Sequence, residues 1–429
     1  MPYNHRGQII RYCIHGFQWA AIVIAFVLIF GLIIGQIYFQ NPHDQIGYIQ
    51  KLFFISGIGL ALQACFGHKM PLFAGPAAVL LIGILASQSH DPAATYTAIF
   101  LGGVVLTILA ASGIIEHVRH FFTSRIIAAI LLLISFSLIP TILNLITSPR
   151  NGGGIGANIV FAFCFILVIF LLYRTLKGLW NATMVIWSLI LGFISYSFIF
   201  PIIPVPGTYE IFAVFAIDPI LPLTIDIGVI IAFFFCYIAL LMNDIGAIQS
   251  LEPLFLVEHM KERTQKGVFV TGITNILSGL FGVIGGVNYS LSAGMILATG
   301  SASRYPLFPA AGIVILCSMS PFIIANLLLI PPVVIGCMLL FIMTSQFAAA
   351  LIVAIEGDQK HTFQLEDGLI IGLPILFGTM MAFLPQEIIA TLPYLAQPIC
   401  GNGFVPGVLS AFIMEHIIFK SRNANTEKS

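Results

Sequence analysis

The sequence predicts an all-α polytopic membrane protein with fourteen transmembrane helices, and three observations support this prediction. Of the 429 residues, 59% are hydrophobic and 8% are charged, whereas roughly a quarter of a soluble domain is charged. The apolar residues form long continuous runs, close to the length of about 20 residues that a helix needs to cross a bilayer. The lysines and arginines are concentrated in alternate connections between these runs. Long runs also exclude the short alternating segments of an outer-membrane barrel.

Fourteen apolar segments follow one another along the chain. The first begins after residues 1–15 and is longer than the core of a signal peptide, about 7–15 residues, so we expect it to be retained. The segments are 16–38, 49–66, 71–87, 93–115, 124–147, 155–173, 178–200, 223–248, 267–284, 288–300, 307–329, 333–355, 367–384 and 399–419. Five prolines within residues 201–222 predict an external loop between the seventh and eighth segments.

The positive charges orient this topology. With the N-terminus in the cytoplasm and fourteen alternating spans, fifteen of the 17 lysines and arginines face the cytoplasm, and only Lys51 and Arg150 face outward. Cytoplasmic connections of membrane proteins carry such an excess of positive charge. We therefore expect residues 1–15 and the tail at 420–429 to be cytoplasmic, with the chain in the cell (inner) membrane.

The fourteen segments divide into two halves of seven, residues 16–200 and 223–419, and an odd number of spans gives the halves inverted topology. The third segment of each half is short and interrupted, within "KMPLFAGPAAVLL" and "GGVNYSLSAG". A helix that stops inside the bilayer leaves backbone groups that small polar residues, water or a solute must satisfy. Matched breaks in inverted repeats indicate a transporter binding site at the bilayer midplane. Close helix packing through small residues is the alternative interpretation.

Five short motifs occur one after another along the apolar segments. They are "FQW" (17–19), "KMPLFAGPAA" (69–78), "LFGVIGGVNYS" (280–290), "LSAGMILATGSASR" (291–304) and "IPPVVIG" (330–336). Together they resemble the nucleobase–ascorbate transporter family, the uracil and xanthine permeases, over nearly the whole chain. The resemblance implies a secondary transporter of purine or pyrimidine bases. It also implies a core domain (spans 1–4 and 8–11), a gate domain (spans 5–7 and 12–14) and a homodimer formed through the gate.

The same resemblance identifies candidate substrate-binding residues in spans 8 and 10, where the sequence departs from the family. The family's span-8 glutamate, three residues before a glycine, corresponds to Asn243 ahead of Gly246. The acidic or amide position of span 10 corresponds to Leu291, and the asparagine after it to Ser292, whereas Gly294 is kept. The loss of both carboxylates argues against the usual proton-coupled symport.

Three further positions complete the candidate binding site. In span 3 the resemblance places Ala77 and Ala78 where the backbone faces the base. Asn288 and Ser292 are four residues apart and would share one helix face. There they would offer donors and acceptors to a planar amide ring, or cap the start of the half-helix.

Asp244, next to Asn243, is the candidate coupling group. A carboxylate within a membrane span is costly and is a functional candidate for that reason. One residue along a helix rotates the side chain by about 100°, so Asp244 faces either the binding site or a neighbouring helix. The sequence leaves both orientations open.

Other functions are weighed against transport of a nucleobase. Two half-helix N-termini without carboxylates would also favour a small anion, and a non-transporting membrane protein is the alternative of another class.

The spans show no nucleophile–base set and no HExxH motif, so we expect no enzyme activity. The seven cysteines form no CxxC pair, so we expect no metal and no cofactor. Zero net charge gives no reason to expect a nucleic acid partner.

Overall fold

The computed structural model describes residues 5–115, 121–149, 152–201, 207–215, 224–251, 259–289, 292, 296, 303–356, 363–401 and 403–419. The described part of the first half contains nine α-helices and one short strand. They are α1 (His5–Tyr38), α2 (Pro42–Cys65), β1 (Ala74–Pro76), α3 (Ala78–Ala86), α4 (Pro92–Ala111), α5 (Ser124–Ser137), α6 (Ile139–Ile146), α7 (Ile155–Thr175), α8 (Leu179–Ala182) and α9 (Met184–Ile199).

The second half follows the same plan. Its described elements are α10 (Ile227–Gln249), α11 (Met260–Phe281), β2 (Gly286–Asn288), α12 (Leu307–Ser318), α13 (Pro321–Leu327), α14 (Pro332–Glu356), α15 (Leu365–Ala382), α16 (Gln386–Ala390), α17 (Gln397–Cys400) and α18 (Phe404–Ile413). A 3₁₀ turn at Tyr394–Ala396 precedes α17, and a π-helical turn at Met414–Ile418 continues α18.

The predicted apolar segments overlap these helices, but α1, α2 and α11 begin several residues earlier than predicted and several segments are divided. Segment 124–147 is divided between α5 and α6, and segment 307–329 is divided between α12 and α13, which are bent by 88°. Of segment 288–300, the structure describes only Asn288, Tyr289, Ser292 and Ile296. Among the described residues, eight helices are long and apolar enough to cross a membrane, or nine with the bent pair. The total of fourteen spans stays a prediction.

Several helix starts are fixed by their own sequence. Asn41 and Asp91 each precede a proline and cap α2 and α4 by accepting a hydrogen bond from a first-turn backbone N–H. Asp226 does the same for Val229 at the start of α10, over 3.1 Å. Such caps satisfy N–H groups that have no partner inside the helix. In contrast, Ala77 precedes α3 without any side-chain cap.

Helix packing separates two domains. In the first, the core, α4 packs on α11, α2 on α12, α1 on both α2 and α12, and α10 on α3 and α4. In the second, the gate, α14 packs on α5, α6 and α7, while α15 packs on α5 and α18. Each domain therefore combines helices from both halves of the chain, as the inverted-repeat prediction requires.

The outer gate helices leave much of their apolar surface uncovered. Only 28% of the apolar window of α7 and 22% of that of α15 is buried within the chain. Phe163 and Leu171 of α7, for example, are 66% and 60% exposed. In water such surface would be costly, and hydrocarbon is the environment that accommodates it.

Candidate functional site

The two broken spans meet at a short antiparallel pair of strands. Ala74 of β1 lies opposite Asn288 of β2, and Pro76 lies opposite Gly286. The pairing continues past the strands, because the backbone N–H of Ala77 donates to the carbonyl oxygen of Gly285 over 2.9 Å. Backbone groups freed by the two helix breaks thus satisfy one another, as a break within a membrane span requires. This paired region is called the crossing below.

Helix α11 supports the crossing from the side. The Asn275 side-chain amide donates to the carbonyl oxygen of Gly286 over 2.9 Å, and the Tyr237 hydroxyl donates to Asn275 Oδ1 over 2.9 Å. A Cβ atom on Gly285 would lie 1.8 Å from Asn275 Oδ1. Glycine at this position therefore permits the close approach of the strand to the helix.

Asp244 lies behind the crossing and holds β2 in place. Its Oδ1 accepts a hydrogen bond from the backbone N–H of Asn288 over 3.0 Å and another from Asn288 Nδ2 over 2.8 Å. Both residues are fully buried. Hydrogen bonds to an ionised acceptor are stronger than neutral ones. The geometry turns Asp244 toward β2.

Asn288 connects this carboxylate to the loop that follows α2. Its Oδ1 lies 3.3 Å from His68 Nε2, and the backbone N–H of Met70 donates to His68 Nδ1 over 3.0 Å. Because Nδ1 accepts, the proton of a neutral His68 belongs on Nε2, where it donates to Asn288. Asn288 Nδ2 also lies 3.3 Å from Thr271 Oγ1. The result is a buried polar network behind the crossing.

Ser292 joins the two broken spans by a different route. Its hydroxyl oxygen accepts from the backbone N–H of Phe73 over 3.1 Å, and its hydroxyl group donates to the carbonyl oxygen of Tyr289 over 2.8 Å. The side chain is fully buried. Ser292 therefore satisfies one backbone group in each of the two broken segments and ties them together.

A cavity lies in front of the crossing, between core and gate. The empty space, with the open solvent at its mouth included, measures about 660 Å³. The core contributes residues of α1, α3, α10 and β2, and the gate contributes residues of α5 and α14. The lining residues are Phe26, Phe30, Ala78, Val79, Ile134, Asn243, Val287, Tyr289, Ile342, Met343, Ser345, Gln346 and Ala349.

The cavity is aromatic and uncharged. None of the described residues that line it is an Asp, Glu, Lys, Arg or His. The rings of Phe26 and Tyr289 lie 4.6 Å apart and 33° from parallel, and Phe73 packs behind Tyr289 at 5.2 Å. The Tyr289 hydroxyl donates to the carbonyl oxygen of Pro76, which fixes the ring. This wall offers the flat apolar faces on which a planar ring can stack.

Polar contacts to a solute are available at three points of the lining. Ala78 and Val79 form the first turn of the uncapped helix α3, so their backbone N–H groups have no intrahelical partner. Asn243 and Gln346 line the cavity from opposite domains. A carboxamide supplies both an acceptor and two donors without carrying charge.

The candidate residues from the sequence fall into three groups. Asn243 and Ala78 line the cavity. Ala77, Asn288 and Ser292 are fully buried in the crossing or the network behind it. Leu291 and Gly294 lie outside the described residues.

Sequence reasoning missed the aromatic wall and the contribution of α14. The aromatic residue next to Asn288 was visible in "VNYS", but nothing marked Phe26 or Phe30 among the 37 phenylalanines of the chain. Ile342, Ser345, Gln346 and Ala349 follow the 3–4 spacing of one helix face, yet the lining residues opposite them, such as Asn243 and Phe26, lie about 100 and 320 residues away in sequence. No group of three or more His, Cys, Asp or Glu side chains among the described residues could hold a metal ion.

Two inverted halves, broken spans that cross inside the membrane and a cavity between two domains define a multi-pass membrane transporter. The chain belongs to the permease family of xanthine and uracil transporters, because the model of that family matches residues 11–387. This assignment confirms the resemblance noted in the sequence motifs.

Similar proteins extend over nearly the whole chain. A nucleobase transporter of Paenibacillus larvae is 24% identical over 433 residues, covering 96% of this chain and 95% of that protein. A uric acid permease of Bacillus subtilis is 22% identical over 426 residues, covering 96% of each chain. The solved transmembrane domain of a cyanobacterial bicarbonate transporter has a TM-score of 0.62 at 14% identity, with 96% and 98% coverage. At this identity the structural likeness shows the 7+7 fold alone.

Proposed function

We propose that this protein is a secondary transporter of purine or pyrimidine nucleobases, which binds the base in the cavity at the crossing of the two broken spans. The observation that carries the proposal is the combination of an aromatic wall with uncharged hydrogen-bonding groups in one cavity. Such a lining suits a planar heterocycle with N–H and C=O groups. Membership of the permease family and the names of its relatives support the same substrate class.

In this proposal the base lies against Phe26 and Tyr289, with its ring parallel to the aromatic wall. The first-turn N–H groups of α3 donate to a ring carbonyl oxygen, and the positive end of the helix dipole stabilises the partial negative charge there. Asn243 binds a neighbouring N–H and C=O pair of the base. Ala78 leaves room for this approach because its side chain is a single methyl group.

A small anion is the second candidate, favoured by the uncapped start of α3 at the cavity wall. One helix N-terminus carries only about half a unit of positive charge. The described lining contains no lysine, arginine or histidine to complete the neutralisation, while the aromatic wall adds nothing to anion binding. We therefore favour the nucleobase.

Asp244 is the proposed coupling group if transport is driven by protons. Its Oδ1 is occupied by Asn288, whereas Oδ2 has no hydrogen-bond partner among the described residues. A proton taken up there would change the charge directly behind β2, next to the binding site. Facilitated diffusion or coupling to another ion is the alternative that the loss of the family's carboxylates favours.

The test is uptake of radiolabelled uracil, xanthine, guanine and adenine by cells that express the protein, with and without a protonophore. Accumulation of at least one base above the empty-vector control is expected, and it should be lost in Asn243→Ala. Bicarbonate and sulfate, added in excess, should not compete. Uptake of none of the bases, or full competition by an anion, would refute the proposal.

We further propose an inner-membrane location with both termini cytoplasmic and a homodimer formed through the gate. Reporter fusions at 150–153 and 205–210 should read as external, and fusions at 261–265 and after 420 as cytoplasmic. A cytoplasmic signal at 205–210 would contradict the fourteen-span topology. Cross-linking between cysteines placed on the exposed face of α7 would detect the dimer, and its absence at all positions would refute a gate interface there.

A further inference from the structure

Gln346 of the gate helix α14 is a polar side chain that lines the cavity without a hydrogen-bond partner among the described residues. The cavity face of α14 carries Ile342, Met343, Ser345, Gln346 and Ala349. The Ser345 hydroxyl donates to the carbonyl oxygen of Phe341 in its own helix, over 3.3 Å. Gln346 has no hydrogen bond to any described residue and is half-buried. A carboxamide in such a place is unsatisfied until a solute or water binds it.

Asn243 is in the same state on the opposite wall. It is half-buried, lines the same cavity and likewise makes no hydrogen bond to a described residue. The two carboxamides belong to different domains, because α10 packs within the core and α14 packs on the gate helices α5, α6 and α7. The cavity is thus bounded by one unsatisfied carboxamide on each side.

Carboxamides recognise a particular chemical pattern. Each one pairs in a bidentate manner with an edge that has a donor beside an acceptor, as Asn and Gln do with adenine in DNA. A lactam edge, with a ring N–H next to a C=O, is such a pattern. Two carboxamides on opposite walls therefore match a ring that has such edges on two sides.

We propose that Gln346 is a specificity residue that binds the second hydrogen-bonding edge of the base, opposite the edge bound by Asn243. This inference rests on the proposed function and deepens it. The preferred substrate is then a neutral oxo-purine or oxo-pyrimidine with a free N–H on each of two edges. The complete site requires both domains, since neither carboxamide alone can hydrogen-bond to both edges of the base.

The experiment uses the purified full-length protein in detergent, with radiolabelled xanthine and radiolabelled uracil as probes. Each base competes with its own singly N-methylated forms, because a methyl group removes the donor of one edge. The variants are Gln346→Ala, Gln346→Met, which keeps most of the side-chain volume, and Asn243→Ala. Thr344→Val is the matched control on α14, because the Thr344 hydroxyl donates to Leu340 in its own helix over 2.8 Å and does not line the cavity.

Both Gln346 variants should bind the parent base about tenfold more weakly than the wild type, while Thr344→Val binds like the wild type. One methylated form should bind only weakly to the wild type. The Gln346 variants should bind this form with the same affinity as they bind the parent base. Asn243→Ala should tolerate a different methyl position. An unchanged methyl preference in both Gln346 variants would overturn the role of Gln346 while leaving the proposed function standing. Failure of the wild type to bind either base would instead overturn the proposed substrate class and this inference with it.

Discussion

The two sides of the crossing differ in how their polar groups are used. Behind it, Asp244, Asn288 and His68 bond to one another and to the strand backbone, and all three are fully buried. In front of it, Asn243 and Gln346 are half-buried and bond to no described residue. The carboxyl group of Asp244 therefore lies where it fixes the break, and uncharged polar groups face the cavity. Asn243 and Asp244 are neighbours in α10, yet Asn243 lines the cavity in front of the crossing and Asp244 lies in the network behind it.

The difference has a physical reason. A broken span exposes backbone groups that cost several kcal/mol each in hydrocarbon, so strong and permanent partners are needed behind the break. A binding surface needs the opposite, because groups that already have partners gain nothing from a ligand. Four experiments test this difference between the two sides of the crossing.

The largest effect is expected for Asp244→Ala. The substitution leaves both the backbone N–H and the side-chain amide of Asn288 buried without their acceptor, at about 1–3 kcal/mol each. We expect a strongly reduced melting temperature of the purified protein and loss of base binding. Asp244→Asn is the control and should be milder, because it retains an Oδ1 atom that can accept both hydrogen bonds and loses only the ionisable group. A melting temperature equal to wild type for Asp244→Ala would show that the rear network does not hold the crossing.

A bulky residue at position 292 should have the next largest effect. Leucine in Ser292→Leu has no space in a fully buried site and cannot accept the hydrogen bond from Phe73. We expect base binding to be abolished while the protein still inserts into the membrane. Ser292→Ala, which removes only the hydroxyl, should bind detectably. Normal binding by the leucine variant would mean that this segment does not set the shape of the site.

Asn243→Ala should affect binding and leave stability unchanged. The side chain has no described partner to lose, so the melting temperature should match wild type within error. The affinity for the base should fall at least about tenfold, which corresponds to 1.4 kcal/mol. Equal affinity in the purified variant and the wild type would remove Asn243 from the site.

The smallest effect is expected from pH. Tyr289 is the only titratable side chain among the described lining residues, and tyrosine in water titrates near pH 10. Affinity of the wild type for uracil, which is uncharged throughout this range, should therefore change little between about pH 5 and 8. A steep profile that Asp244→Asn flattens would identify Asp244 as a proton carrier. A steep profile that survives the substitution would place the titrating group elsewhere.

Much of the architecture was predictable because its causes are local. The length and continuity of apolar runs predict helices, and proline or a polar break predicts where a helix stops, without any knowledge of its neighbours. The bend between α12 and α13 shows the limit of this reasoning. Segment 307–329 is a continuous apolar run in sequence, yet it turns by 88° at Met319 and Ser320, just before Pro321. A proline at the first position of a helix is compatible with that helix starting afresh.

The candidate site was predicted less completely. The motif positions of the family lie at the break, but they did not separate residues that line the cavity from residues that support the strand. The sequence indicates Asn288 and Ser292 as ligands or caps, whereas in the structure Ser292 bonds to the backbone of Phe73 in the other broken segment and to Tyr289. Whether they also touch the base stays a proposal to be tested.

The amino-acid sequence alone indicates that the chain lies in a membrane, roughly where its helices lie, and where two of them break. These features depend on transfer free energies and backbone preferences that each segment carries with it. The tertiary structure alone shows that Asp244 turns toward Asn288 and that Gln346 shares a cavity with Asn243. Both arrangements bring together residues far apart in the chain, and they depend on how the helices of the two halves pack together, which no local pattern encodes.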